Sequence, residues 1–281
     1  MKTILIPIDL IGDTENVLQY AAGFACDVHV EHIILLKSYY VSVYEQVLPT
    51  PDFVQLSNEE VEEHRQILEA NLKALAAKMQ KTCTHTVKIE TAFSSLPLLR
   101  AVHNTVIEKQ PNMVMMGSDS STHEPGSYLG EQLVAVGRTS PVPVMVIPEN
   151  ASYQKIERVL VPCDFSAISR LSALKGFHAK QRWPHPHLLV LNVDAKHHFH
   201  AGNKQVTENL AEMLEGYAYD VHHSSDADIV RGVLAFATHN DVQLIIALPG
   251  QYSFFYNLTH RNITIAITLN ATSPVLILKL C

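Results

Sequence analysis

Hydrophobic positions along this chain fall into short uninterrupted runs, separated by stretches in which apolar residues recur every three or four positions. The first run is Ile4-Leu5-Ile6-Pro7-Ile8, ended by Asp9. Apolar on both faces, it predicts a strand buried in a parallel sheet. Asp13 or Thr14 can cap a helix reaching about Asp27, with Val17, Tyr20, Ala21 and Phe24 on one face. Val30 to Leu36 predicts the second strand. Lys37 to Leu56 carries Tyr39, Tyr40, Tyr44, Pro49 and Pro51, and predicts a long irregular connection of the kind that more often forms a lid or contact surface. Ser57 and Glu60 form a capping box before a helix that bears Val61, Leu68, Leu72, Leu75 and Met79. Thr86 to Phe93 predicts a strand and Leu96 to Lys109 a helix. Met113 to Met116 is a further buried run, stopped by Gly117. Ser118, Asp119, Ser120, Ser121 and Thr122 then form a polar turn before a helix beginning near Ser127. Pro143 to Ile147 predicts the closing strand. Proline cannot donate to a ladder, so that strand is expected at a sheet edge, where it invites pairing.

The pattern then repeats. Val159-Leu160-Val161-Pro162-Cys163-Asp164 echoes the opening run, and Pro274 to Leu278 echoes the closing one. The chain therefore reads as one fold copied in tandem, residues 1–149 and 153–281, joined around Glu149 to Tyr153. In the second copy Ser166 is placed to cap a helix to about Lys180. Leu188 to Val193 predicts a strand, Lys204 to Leu214 a helix, Tyr217 to His222 a weaker strand, Ile229 to His239 a helix, and Val242 to Ala247 a buried strand. Alternation throughout predicts α/β architecture: two doubly wound, five-stranded parallel sandwiches with right-handed crossovers. One continuous sheet, or a single barrel, would end that reading.

Length and charge narrow the function classes. At 281 residues the chain suits two domains. With 21 basic against 28 acidic residues, a formal charge of −7, it has no cationic excess for a nucleic-acid backbone. No apolar run has membrane-spanning length, and MKTILIPID lacks a signal core with a cleavage site, so the expected location is the cytoplasm. Cys26, Cys83, Cys163 and Cys281 show no C-x-x-C spacing and read as small buried hydrophobes. Sixteen histidines include His185, His187, His197, His198, His200, His222 and His223. Without H-E-x-x-H or abundant acidic partners they read as solvated, with no metal site expected.

The stretch Asn112 to Pro148 carries a specific resemblance. A strand ending in Gly117, a gap to Ser120, nine residues, Gly130-Glu131, a helix and a Pro-Val strand is similar in order and spacing to the closing pattern of universal stress protein domains. The resemblance spans nearly the whole chain in two copies and implies Rossmann-like, adenine nucleotide alpha hydrolase-like domains, a role in stress tolerance, and binding of ATP or another adenylate. It places Asp9, Gly117, Ser118, Ser120, Gly130 and Glu131 around the nucleotide of the first copy. Gly117 and Gly130 match the family's glycines; Ser120 replaces a glycine and Glu131 a hydroxyl residue. Glu131 near a helix start occupies the positive end a phosphate would use, so ATP binding is expected to be weak or lost there. Asp9 and Asp164 have the alternative of satisfying backbone donors in their turns.

Read by position, Ala247, Gly250, His260 and Arg261 fall at the corresponding places of the second copy, whose loop is filled by Phe254, Phe255 and Tyr256. That copy is expected to be degenerate and silent, so a nucleotide is expected in the first only. In the family the last strand pairs two domains. The partner here is the chain's own second half, or a second copy as a homodimer. No G-x-S-x-G or P-loop is present, and no residue stands out as nucleophile or base. A non-catalytic regulatory or small-molecule-sensing protein is the primary expectation. A nucleotide hydrolase using the first loop and a purely structural partner-binding module are the alternatives.

Overall fold

The computed structural model describes residues 2–8, 14–40, 58–83, 86–118, 128–174, 186–194, 204–248 and 263–278, without the side chains of residues 58, 128–131 and 134. The first half runs β1 (Thr3–Ile8), α1 (Thr14–Asp27), β2 (His32–Ser38), α2 (Asn58–Thr82), β3 (Lys88–Ser94), α3 (Leu98–Lys109), β4 (Met113–Gly117), α4 (Tyr128–Thr139) and β5 (Val144–Ile147). The second runs β6 (Arg158–Pro162), a 3-10 helix (Phe165–Leu171), β7 (His187–Val193), α5 (Lys204–Met213), β8 (Tyr219–Ser224), α6 (Ile229–His239), β9 (Leu244–Ala247), α7 (Ile263–Asn270) and β10 (Val275–Ile277). These are two doubly wound α/β units, as the alternation predicts.

Among the described residues the ten strands form one sheet, ordered β3-β2-β1-β4-β5-β10-β9-β6-β7-β8. This corrects the expectation of two separate sheets, and with it the premise that one continuous sheet would exclude two copies. Within each half the five strands are parallel, and the halves join where β5 and β10 pair antiparallel, with Val144 opposite Ile277, Met145 opposite Leu276 and Val146 opposite Val275. Each closing strand would otherwise expose an unpaired edge, and each covers the other. β5 is the edge strand of the first half's five, as Pro143 predicts, and β10 pairs with that edge. The strand begins at Val144, one residue beyond it, and Pro143 takes part only through its carbonyl, which accepts from the Val114 amide at 2.9 Å. A proline just outside the ladder withholds no donor from it, so β5 can lie in the interior.

Helices cover both faces of this sheet, which is why its inner strands are apolar without alternation. On one face α1, α2, the 3-10 helix and α5 pack on a single core that joins Ile4, Phe24 and Met145 of the first half to Val159, Leu188 and Leu276 of the second. The other face carries two cores, one under α3 and α4 and one under α6 and α7. Ile277 of β10 reaches into the former, so the first half's second core includes a residue from the other half. All four residues expected on the inner face of α1, Val17, Tyr20, Ala21 and Phe24, are buried.

Three elements depart from the sequence reading. Strand β2 continues through Lys37 and Ser38, where an irregular connection was expected to begin. Ser57 and residues 41–56 of that connection lie outside the described residues. The segment after β6 opens as a 3-10 helix, in which Ala167 adopts φ −126° and its amide bonds the Asp164 carbonyl three residues back at 2.8 Å, and residues 172–174 continue it as α-helix. The cap is Asp164, not Ser166: its carboxylate accepts from the Ser166 amide at 2.9 Å and from its hydroxyl at 2.7 Å. Tyr217 stands outside β8. Its hydroxyl donates to the Leu174 carbonyl at 3.1 Å, and burial pushes the phenol up to about 12. A simpler cap operates at α6, where the Asp228 carboxylate accepts from the Arg231 amide at 3.0 Å. Asp228→Ala is expected to lower stability by about 1 kcal/mol in denaturant titration, while Asp228→Asn retains most of it.

Candidate functional site

Strand order reverses between β1 and β4, which opens a crevice at their carboxyl ends. Gly117 ends β4 opposite Ile147 of β5, and it is exposed. A Cβ added there would lie 3.4 Å from Cβ of Val17, an ordinary van der Waals contact, so α1 packs against this end of the strand. Ser118 turns inward: its amide donates to the Ile147 carbonyl at 2.8 Å and its hydroxyl to the same oxygen at 3.4 Å. The next carbonyl, of Pro148, accepts from the Asn16 side chain in the first turn of α1 at 2.7 Å. The two segments that flank the crevice are thus fastened to consecutive residues at the end of β5. Beside Asn16, the Lys78 ammonium 2.7 Å from the Glu15 carboxylate holds that acid below the usual range.

Gly130 and Glu131 are the third and fourth residues of α4, whose amino end follows the glycine loop. Asp9 and Ser120 lie outside the described residues. Of the six residues expected to form the site, the described part therefore brings Gly117 and Ser118 to the crevice and carries Gly130 and Glu131 in the first turn of the following helix. Sequence reading left out Lys37, the penultimate residue of β2, which pairs with Ile8 and is 6% exposed. It directly follows the apolar run Ile33 to Leu36, and that position alone does not say whether it belongs to the strand or to the loop.

The second half can be aligned through its own bonds. Asn112 accepts through Oδ1 from the Lys2 and Thr3 amides at 3.0 and 2.9 Å; Gln243 accepts through Oε1 from the Glu157 and Arg158 amides at 3.2 and 2.8 Å. Two residues before each, Gln110 and Asp241 have φ 48° and 47°. Counting on from that equivalence, the counterpart of Gly117 is Leu248, which corrects the assignment of Ala247 by one residue. The pairings of β1 with β4 and of β6 with β9 agree. Leu248 is 5% exposed and belongs to the core. Asp164, counterpart of Asp9, holds the turn through Ser166. Gly250, His260 and Arg261 lie outside the described residues.

Of the clustered histidines, the three that are described are engaged separately, and His185, His197, His198 and His200 lie outside the described residues. His187 Nε2 lies 2.8 Å from Asp220, His222 packs on Phe236 at 5.0 Å, and His223 meets Phe165 edge-on at 5.4 Å. Among the described residues no three His, Cys, Asp or Glu side chains converge on a metal-sized site. Cys163 is buried, whereas Cys26 and Cys83 are half-buried; burial, with a smaller contribution from Cys26, pushes the Cys83 thiol up and lowers its reactivity. Among the described residues no helix is long and apolar enough to cross a membrane.

The model of the universal stress protein family matches residues 1–148. A universal stress protein from Archaeoglobus fulgidus is similar over 99% of this chain and 96% of its own, with TM-score 0.70 and 20% identity. A universal stress protein described as putative from Pseudomonas aeruginosa is similar over 99% and 92%, with TM-score 0.56 and 14% identity. At these identities the likeness is one of fold. No curated protein matches the chain. Because the model of the family matches more than half of the sequence, the chain belongs to the universal stress protein family.

Proposed function

We propose that this chain is a non-catalytic, cytoplasmic stress-response protein that senses a small molecule at one site, the crevice between β1 and β4. The ligand class is an adenine nucleotide, bound weakly by the first half and not by the second. One contrast carries this reading: at equivalent ends of the fourth strand, Gly117 is exposed and bare while Leu248 is buried in the core. A ligand phosphate or ribose needs the backbone to be approachable there, and a leucine side chain occupies that approach.

Glu131 in the first turn of α4 is the reason binding is weak, since a carboxylate near that positive end repels a phosphate. At 4–5 Å and an effective dielectric near 20 the repulsion is about 3–4 kcal/mol per unit charge before salt screening. Calorimetry with ATP is expected to give millimolar affinity for the parent protein, and about ten- to hundredfold tighter binding for Glu131→Ser combined with Ser120→Gly. Micromolar binding by the parent would overturn the explanation through Glu131. Incubation with ATP and Mg²⁺ is expected to release no phosphate above background; turnover lost in Asp9→Ala would favour a hydrolase instead.

A further inference from the structure

Because β5 and β10 cover each other, the described sheet ends at β3 and β8. The two ends are guarded differently. On β3 the Lys88 side chain is 72% exposed, and Glu90 is held among His32, Lys88 and Lys109 at 3.2, 3.7 and 3.1 Å. Charge of this kind, lysine above all, discourages a further strand from adding to an edge. β8 reads Tyr219-Asp220-Val221-His222-His223-Ser224, without lysine, proline or glycine. Val221, 39% exposed, is the only exposed large apolar side chain on a strand among the described residues. Bonds to β7 fix which backbone groups of β8 face outward: the Leu188 amide donates to the Ala218 carbonyl and the Asp194 amide to the Ser224 carbonyl, both at 2.9 Å. Every second residue of a strand addresses the same neighbour, so residues 218, 220, 222 and 224 face β7. Tyr219, Val221 and His223 direct their N–H and C=O groups to the edge, where no described strand lies.

A two-fold axis through Val221 makes this edge complementary to itself. Two antiparallel copies of β8 then set Val221 opposite Val221, Tyr219 opposite His223 and Asp220 opposite His222, and each outward residue both donates and accepts across the seam. Asp220 and His222 fall at the non-hydrogen-bonded positions, where opposed side chains come closest. Asp220 holds His187 through Oδ2 at 2.8 Å and its side chain is 65% exposed, while His222 buries an Nε2 that has no hydrogen-bond partner. The pairing brings a carboxylate opposite that imidazole. Neighbouring registers lose the match, since centring on Asp220 opposes two carboxylates and centring on His222 opposes two imidazoles. We propose that β8 is a homodimerisation edge, which joins a second copy of this chain antiparallel about Val221 and merges two ten-stranded sheets into one. One pair of short strands is a small interface, so the dimer is reversible. The pairing needs neither the crevice nor a ligand, and it uses an edge other than the closing strands, which are already spent on each other.

Sedimentation equilibrium of the full-length protein, from micromolar to millimolar concentration, is expected to show monomer and dimer in exchange. Val221→Pro removes an amide hydrogen that points to the free edge and no bond of the ladder with β7, so it is expected to fold and to weaken dimerisation about tenfold or more. Val221→Lys, which guards this edge as Lys88 guards the other, is expected to do the same. The register is read with a short bifunctional thiol reagent. Val221→Cys is expected to cross-link into dimers, as is a mixture of Tyr219→Cys with His223→Cys, whereas Tyr219→Cys alone and the parent are not, because equivalent Tyr219 positions lie about 14 Å apart across the seam. A parent that stays monomeric at millimolar concentration overturns the proposal and leaves β8 to a strand of a different protein. A dimer undiminished in folded Val221→Pro or Val221→Lys, or one that cross-links through Tyr219→Cys but not through Val221→Cys, overturns it as well. Should Val221→Pro not fold, Val221→Lys and the cross-links decide.

Discussion

Leu276→Ala is expected to destabilise both halves of the protein at once, by about 2–5 kcal/mol. Leu276 is fully buried in β10, opposite Met145 of β5 and inside the core that continues from α1 to the 3-10 helix. Removing a buried leucine side chain loses its transfer free energy and leaves a cavity that the surrounding strands can only partly close. That loss is a large fraction of the 5–15 kcal/mol by which folded domains usually exceed their unfolded states. Because one core serves both halves on that face, amides of β1 and of β6 should exchange faster in parallel in the variant, and denaturation should remain a single transition. Faster exchange confined to the second half would show that the halves fold independently and that the β5–β10 seam carries little of the stability.

Gly23→Leu is expected to cost about 3 kcal/mol, although leucine favours a helix more than glycine does. The reason lies in the connection between the halves. Tyr153 lays its ring across α1, with Tyr20 and Phe24 edge-on at 5.3 and 6.2 Å, and donates its hydroxyl to Asp27 at 2.6 Å. A Cβ on Gly23 would fall 2.7–2.9 Å from Tyr153 Cδ1, Cγ and Cβ, closer than carbon atoms approach. Burial, reinforced by the Asp27 carboxylate, raises the Tyr153 phenol well above its ordinary range, so this hydroxyl keeps its proton at physiological pH. Gly23→Leu combined with Tyr153→Ala should be more stable than Gly23→Leu alone, since truncating the ring removes the clash and leaves the new side chain room. Additive losses measured by urea titration would mean that the ring does not depend on the notch.

Much of the molecule is written in local pattern. Ile4 to Ile8 and Val159 to Cys163 announce strands because both faces of a parallel sheet must be apolar, and the spacing of Val17, Tyr20, Ala21 and Phe24 announces the buried stripe of a helix. The duplication of the opening and closing runs sufficed to show two copies, and Gly117 with Gly130 sufficed to indicate which loop to inspect. Boundaries were less legible. Nothing local tells whether Lys37 ends a strand or starts a loop; its burial depends on Ile8 and Phe93 flanking it from other strands.

What the sequence by itself determined is therefore the repeating α/β unit, the family pattern and the position of the candidate loop, each encoded within a few dozen consecutive residues. Tertiary structure alone decided that the closing strands pair with each other within the chain, that Leu248 rather than Ala247 stands in for Gly117, and that Tyr153 seats in the notch at Gly23. Those outcomes depend on cross-strand register and on contacts between residues far apart in the chain. A shift of one position in register moves every side chain to the other face of a strand, and hydrophobic periodicity within a fully apolar run carries no information about which face that is.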